Sequence, residues 1–127
     1  MDDAVASLAR AHLRVARSTD NLTEVVHFYR DGLGFEVLYE FNDHDGFDGI
    51  MLGYKGAGYH LEFTHKRGHT AGRALTEDNL LVFYLPNEAD WRQAVQRLEN
   101  HRYKSVKAFN PYWTSRARPS KIQTDIE

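Results

Sequence analysis

Short β-prone runs alternate with two stretches of helical periodicity along the chain. Apolar and ionisable residues alternate over 10–15, which predicts a first strand. Apolar residues then recur at helical spacing over 22–33, which predicts a helix that ends near Gly32 and Gly34. Three further β-prone runs predict a meander, at 35–41, 50–54 and 59–65. The first half is therefore predicted to form a βαβββ module.

The second half of the chain begins the same order again. Residues 80–85 form a β-prone run, Asn87 is placed to cap a second helix, and 103–109 predicts another strand. This order indicates an internal repeat of topology. After Trp113 the apolar periodicity ends, so 114–127 is predicted to be a divergent, loosely attached tail and the second module to be truncated.

Composition and charge restrict the class of protein. The 127 residues carry 16 Lys and Arg against 18 Asp and Glu, so neither nucleic acid nor an anionic membrane is expected as a partner. Cysteine is absent, which excludes disulfides, thiolate metal sites and a cysteine nucleophile. We expect a single domain over 1–127, with module one at about 8–66 and module two at about 78–113.

The lengths of the apolar runs indicate where in the cell the protein is expected. The longest apolar run, 80–85, is too short to cross a bilayer, and Met1–Asp3 lacks the apolar segment of a signal peptide. We therefore expect a cytoplasmic protein.

Glu62 is the central candidate for chemistry because it lies in the middle of the strand predicted at 59–65. A buried carboxylate without a partner is costly, so a metal, a proton or a hydrogen-bond donor should lie close to it. Strand alternation places His60 on the same face as Glu62. The alternative is that this face lies in water and Glu62 is simply solvated.

Several stretches together are similar to one known superfamily. They are the first strand at 11–15, the segment Phe28–Phe35 with its Phe-Tyr and Leu-Gly-Phe elements, the strand His60–Phe63, and Asn79–Leu85. In these the chain resembles the vicinal oxygen chelate superfamily of glyoxalase I, bleomycin-resistance proteins and extradiol dioxygenases, over about 8–113. The resemblance implies an α+β fold of paired βαβββ modules, the glyoxalase/bleomycin-resistance/dioxygenase fold, with sheets curved around a shared cavity.

The resemblance also implies where a metal would be held. The metal enzymes of the superfamily place ligands on the first and last strands of each module, and Glu62 matches the fourth-strand carboxylate. The first-strand position aligns with Arg10, although His12 follows on the same face. The fifth-strand position aligns with Asn79, a poor ligand for a transition metal, and the closing glutamate has no counterpart. His12 and Glu62 remain as metal candidates, beside Arg14, whose charge would repel a cation.

Two functions stay open, and with them whether the protein is an enzyme. We favour a metal-free binding or sequestering protein for a polar or anionic small molecule, with Glu62 paired to an arginine when no ligand is bound. The alternative is a divalent-metal-dependent lyase, isomerase or dioxygenase, in which Glu62 is a ligand or the catalytic base. The predicted lining of the cavity is Arg10, His12, Arg14, His60, Glu62, Asn79, Leu81, Phe83 and Trp113.

The tail adds a third reading. Missing closing strands would leave an open sheet edge, which a homodimer would cover. The other explanation for the divergent tail is that the sequence after Trp113 replaces the native end, which leaves a dimeric fold without function. A paired strand over 121–126 would contradict that explanation.

Overall fold

A computed structural model describes residues 7–72, 79–105 and 121–125. Its main sheet has four strands: β1 (Leu13–Ser18), β2 (Glu36–His44), β3 (Phe47–Gly53) and β4 (Tyr59–Lys66). The strand order is β1-β4-β3-β2, with β1 parallel to β4 and the other neighbours antiparallel. The predicted α+β fold and its first βαβββ module are confirmed.

The first strand starts later than the sequence predicts. The sequence predicts a strand from Arg10, but Arg10 lies in a turn, where its backbone N–H donates to the carbonyl of Ser7 at 3.0 Å. A second bond, from the N–H of Ala11 to the carbonyl of Leu8 at 3.2 Å, closes the same turn. The turn takes the backbone N–H groups of Arg10 and Ala11 that strand pairing would need, and β1 begins only at Leu13, so His12 also precedes the sheet.

The connection from β1 to β2 is helical, as predicted, but in two forms. Helix α1 (Leu22–Val26) is capped by Asn21, whose side-chain oxygen accepts from the N–H of Glu24 at 3.1 Å. The chain continues as a π-helical segment, His27–Gly32. Gly34 then has a φ of 83°, a left-handed conformation in which glycine carries no Cβ penalty.

The core lies between this helical connection and one face of the sheet. Its buried side chains are Tyr29, Phe35, Ile50, Leu52, Leu61 and Phe63. Tyr29 from the π-helical segment stacks on Phe63 of β4, with ring centroids 5.2 Å apart. Because Leu61 and Phe63 face the helices, alternation directs His60 and Glu62 to the opposite face of β4.

The second half contributes β5 (Leu80–Tyr84), α2 (Glu88–Asn100) and β6 (Lys121–Asp125). β6 pairs antiparallel with β5 along all five residues. The prediction of a loosely attached tail is therefore wrong at 121–125, and the altered-end explanation loses its support. This antiparallel pairing differs from module one, where the first strand, β1, is parallel to its partner, β4.

Other expectations for the second half are met only in part. Of the strand predicted at 103–109, residues 103–105 have no regular structure and the rest lie outside the described residues. Tail residues 114–120 also lie outside them. None of the helices that the structure describes is both long and apolar enough to span a membrane.

The two halves meet where α2 approaches the π-helical segment. Nε of Arg97 donates to the carbonyl of Asp31 at 2.8 Å. A Cβ on Gly32 would lie 3.0 Å from Leu98, so the missing side chain lets α2 approach closely. The hydroxyl of Tyr103 and Nδ1 of His27 share a hydrogen bond. These contacts join the second half to the core of the first.

Candidate functional site

Four polar residues meet on the sheet face that is turned away from the core: His12, Arg14, His60 and Glu62, here called the polar cluster. β1 and β4 are parallel neighbours, and their register sets Arg14 beside His60. Glu62 follows two residues after His60 on the same face. His12 reaches the cluster from the segment just before β1. Four of the sequence-predicted site residues are therefore brought together.

Hydrogen bonds run through His60 in both directions. Nε of Arg14 donates to Nε2 of His60 at 2.9 Å. Nδ1 of His60 and Nε2 of His12 share a second, short hydrogen bond. His60 is only 9% exposed, so both ring nitrogens find their partners within the protein.

The geometry fixes the protonation of His60. The guanidinium Nε of Arg14 can only donate, so Nε2 of His60 must accept. Neutral His60 therefore carries its proton on Nδ1 and donates it to Nε2 of His12. Burial lowers the pKa of His60, and the electrostatic effects of His12 and Arg14 lower it further, against an opposing effect of Glu62.

Glu62 finds its partner in Arg14. One terminal nitrogen, Nη1, lies 3.9 Å from Oε2 of Glu62, a loose ion pair. The carboxylate side chain is 15% exposed, whereas that of Arg14 is 49% exposed. The other terminal nitrogen, Nη2, donates weakly to Sδ of Met51 at 3.8 Å. The guanidinium thus lies over the sheet with one side accessible to a ligand.

The donors in the cluster do not fit a metal ion. Both ring nitrogens of His60 are engaged, and the positive charge of Arg14 lies beside Glu62, where it opposes a second cation. Across the described part of the chain, no three His, Asp or Glu side chains are grouped so that they could hold one. The pair proposed from sequence, His12 and Glu62, is separated by these contacts of Arg14 and His60.

The remaining sequence-predicted site residues lie elsewhere. Arg10 is exposed in its turn, and Asn79 is exposed immediately before β5. Leu81 and Phe83 pack against the core, and their place in the lining of a cavity stays a prediction. Every position from 80 to 84 is apolar, so alternation could not decide which set faces inward. Trp113 lies outside the described residues.

Sequence reasoning missed an aromatic surface on the same face as the polar cluster. Tyr39 lies opposite Met51 in the β2–β3 register, and Met51 lies opposite Glu62 in the β3–β4 register. Tyr39 and Phe41, here called the aromatic patch, have ring centroids 6.2 Å apart. The available signal was Gly49, just before the β-prone run at 50–54, because a glycine in a strand often marks a close approach.

Two concavities of the described residues lie away from the cluster. One of about 470 Å³ runs along α2 and is lined by Asp90, Gln93, Ala94, Gln96, Arg97 and Asn100. The other, of about 310 Å³, is lined by Ala16, Arg17, Ser18, His69, Ala71 and Gly72. The polar cluster contributes to the lining of neither concavity.

Comparison with known proteins places the chain in a family. Residues 13–64 match the YycE-like N-terminal domain and residues 78–120 match the YycE-like C-terminal domain. The uncharacterized protein YycE of Bacillus subtilis is 39% identical over 109 residues, which cover 86% of this chain and 78% of that protein.

A solved structure shows the same fold. A crystal structure of a YycE protein of unknown function from Bacillus subtilis, described as a candidate glyoxalase/fosfomycin resistance protein, matches with a TM-score of 0.72 and 42% identity. The match covers 83% of this chain and 77% of that one. On these matches, the chain belongs to the YycE-like family.

Proposed function

We propose that this protein binds a small acidic molecule at Arg14 without a metal, as a binding or sequestering member of the vicinal oxygen chelate superfamily. The observation that carries the proposal is the position of Arg14. His60 holds its Nε, and toward the residues that the structure describes the terminal nitrogens make only long contacts, at 3.8 and 3.9 Å. A guanidinium has five N–H donors in a rigid fork, so donors remain for a carboxylate or phosphonate.

Arg14 is oriented in advance of binding. Because Nε is fixed on His60, and His60 is fixed on His12, the plane of the guanidinium does not have to be ordered by the ligand. Such preorganisation lowers the entropy cost of binding. His12 and His60 therefore act as positioning residues, and Arg14 as the residue that contacts the ligand.

Glu62 balances the charge of Arg14 when no ligand is bound. At 3.9 Å the ion pair is weak, so an acidic ligand can replace Glu62 at the guanidinium at small cost. The similarity to a candidate glyoxalase/fosfomycin resistance protein supports a small-molecule site on this fold. Because the donor set does not fit a metal ion, no metal-dependent step is proposed.

The test is a calorimetric and thermal-shift titration with two acidic probes, fosfomycin as a phosphonate and 3-phenylpropionate as a carboxylate. We expect saturable binding of at least one probe, retained after treatment with EDTA and lost in Arg14→Gln. The matched control is Arg92→Gln, which removes an exposed arginine of α2 that pairs with Glu88.

Equal binding by Arg14→Gln and Arg92→Gln would contradict a site at Arg14. Binding that disappears with EDTA and returns with a divalent metal would contradict the metal-free part of the proposal.

A further inference from the structure

The aromatic patch lies one strand beyond the guanidinium of Arg14. Nη2 of Arg14 reaches Sδ of Met51 on β3, and Tyr39 is the neighbour of Met51 on β2. Adjacent strands lie about 5 Å apart, so the Tyr39 ring begins roughly one strand spacing from the guanidinium. A molecule bound at Arg14 and extending along this row of residues therefore meets an aromatic ring.

Phe41 lies directly on the backbone of β3. A Cβ on Gly49 would overlap the Phe41 ring, with the ring atoms Cζ, Cε1 and Cε2 as its three nearest neighbours. The ring is thus laid over a position that has no side chain. This arrangement gives a flat apolar surface on a sheet face whose other residues are largely polar.

Tyr39 extends that surface into solvent. It is 58% exposed, and its ring is tilted 37° from that of Phe41. Aromatic side chains offer a large apolar area with few rotatable bonds, which suits them to binding planar groups. An exposed tyrosine beside a half-exposed arginine provides an apolar and a charged contact at a short separation.

The charges next to the patch cancel. Arg14 is positive and Glu62 is negative, and both lie on this face. A ligand with only a carboxylate binds Arg14 by replacing Glu62, so Glu62 is left without a cationic partner at this face. A ligand with a carboxylate and an adjacent cationic donor matches both residues.

From these contacts we propose that the site takes an aromatic α-amino acid or a molecule of that pattern. Its carboxylate lies on Arg14, its ammonium group on Glu62, and its ring on Tyr39 and Phe41. This inference rests on the proposed function and adds the class of ligand to it.

The experiment compares L-phenylalanine with three analogues by isothermal titration calorimetry on the full chain. L-Alanine lacks the ring, cyclohexylalanine lacks its planarity, and 3-phenylpropionate lacks the ammonium group. We expect L-phenylalanine to bind about ten-fold or more tightly than L-alanine, with the other two weaker than L-phenylalanine.

Two Tyr39 variants test whether Tyr39 contacts the ring of L-phenylalanine. Tyr39→Ala should weaken L-phenylalanine binding about ten-fold while leaving L-alanine binding unchanged, and Tyr39→Phe should restore it. Tyr84→Ala is the matched control, since Tyr84 is 62% exposed on β5, away from the patch.

Equal affinities for L-phenylalanine and L-alanine, no binding of L-phenylalanine, or equal effects of Tyr39→Ala and Tyr84→Ala would each overturn the inference. The proposed function survives such a result if 3-phenylpropionate or fosfomycin still binds in an Arg14-dependent manner. It falls as well if no acidic probe depends on Arg14.

Discussion

Arg14 donates from Nε to Nε2 of His60 at 2.9 Å, and this bond holds His60 in its neutral form. If Nε2 of His60 took up a proton, it would become a donor facing the donor Nε of Arg14, so the hydrogen bond would break and the guanidinium would move away. The charge state of one buried histidine is thereby linked to the orientation of the arginine that we propose contacts the ligand.

The first prediction concerns stability against pH. The pKa of His60 is lowered in the folded protein by burial, then by His12 and Arg14. The unfolded chain therefore takes up a proton near the ordinary pKa of about 6.5, while folded His60 does so only at lower pH. The free energy of unfolding should contain a His60 contribution that is constant above about pH 7.5 and decreases as the pH falls through about 6.5.

Urea unfolding of the wild type and His60→Gln at several pH values measures this contribution. Glutamine can still accept from Arg14 but does not titrate. The difference between the two proteins should shrink as the pH is lowered, and a difference that does not change with pH would contradict the assignment.

The second prediction concerns Glu62→Gln. The pair with Arg14 is long, and Arg14 is half exposed, so its loss should change the free energy of unfolding by less than about 1 kcal/mol. Leu61→Ala is the control in the adjacent, buried position and should cost about 2–5 kcal/mol. A cost for Glu62→Gln comparable to that of Leu61→Ala would show that Glu62 is structural.

The third prediction concerns Gly49 beneath the Phe41 ring. Gly49→Ala should destabilise the protein by about 1–3 kcal/mol, because the new methyl group occupies the space of the ring. In a Phe41→Ala background the same change should cost little, since the obstruction is gone. Equal costs in the two backgrounds would mean that Phe41 does not lie over Gly49 in solution.

The fourth prediction concerns metal. Both ring nitrogens of His60 are engaged, and Arg14 lies beside Glu62. Nickel, zinc, manganese and iron(II) should therefore give no saturable rise in melting temperature. Elemental analysis of untagged protein provides the independent measurement. Near-stoichiometric metal that is lost in Glu62→Gln would contradict this prediction.

The sequence predicts most where apolar and polar residues alternate strictly. His60 and Glu62 alternate with Leu61 and Phe63, so one face of β4 could be assigned to the core and the other to chemistry. The pairing of Arg14 with His60 depends on a parallel register between strands far apart in sequence, which alternation does not specify.

Elsewhere the pattern is insufficient for physical reasons. β5 is apolar on both faces, so its pattern does not specify that Leu81 and Phe83 are the residues that pack against the core. β6 contains one apolar residue, Ile122, so its sequence shows no strand pattern. It forms a strand because its backbone pairs with β5. Tyr39 was missed because irregular register between Val37 and Tyr39 determines what it faces.

The pairing of β5 with β6 has a consequence for the order in which the chain folds. The strands β2, β3 and β4 are consecutive and antiparallel, so they can associate through short loops as soon as they are synthesised. β5 pairs with residues 121–125, from which it is separated by α2 and the segment 106–120. Closing so long a loop carries a larger entropic cost, so β5 is expected to reach its native pairing late, with its edge open to other chains until then.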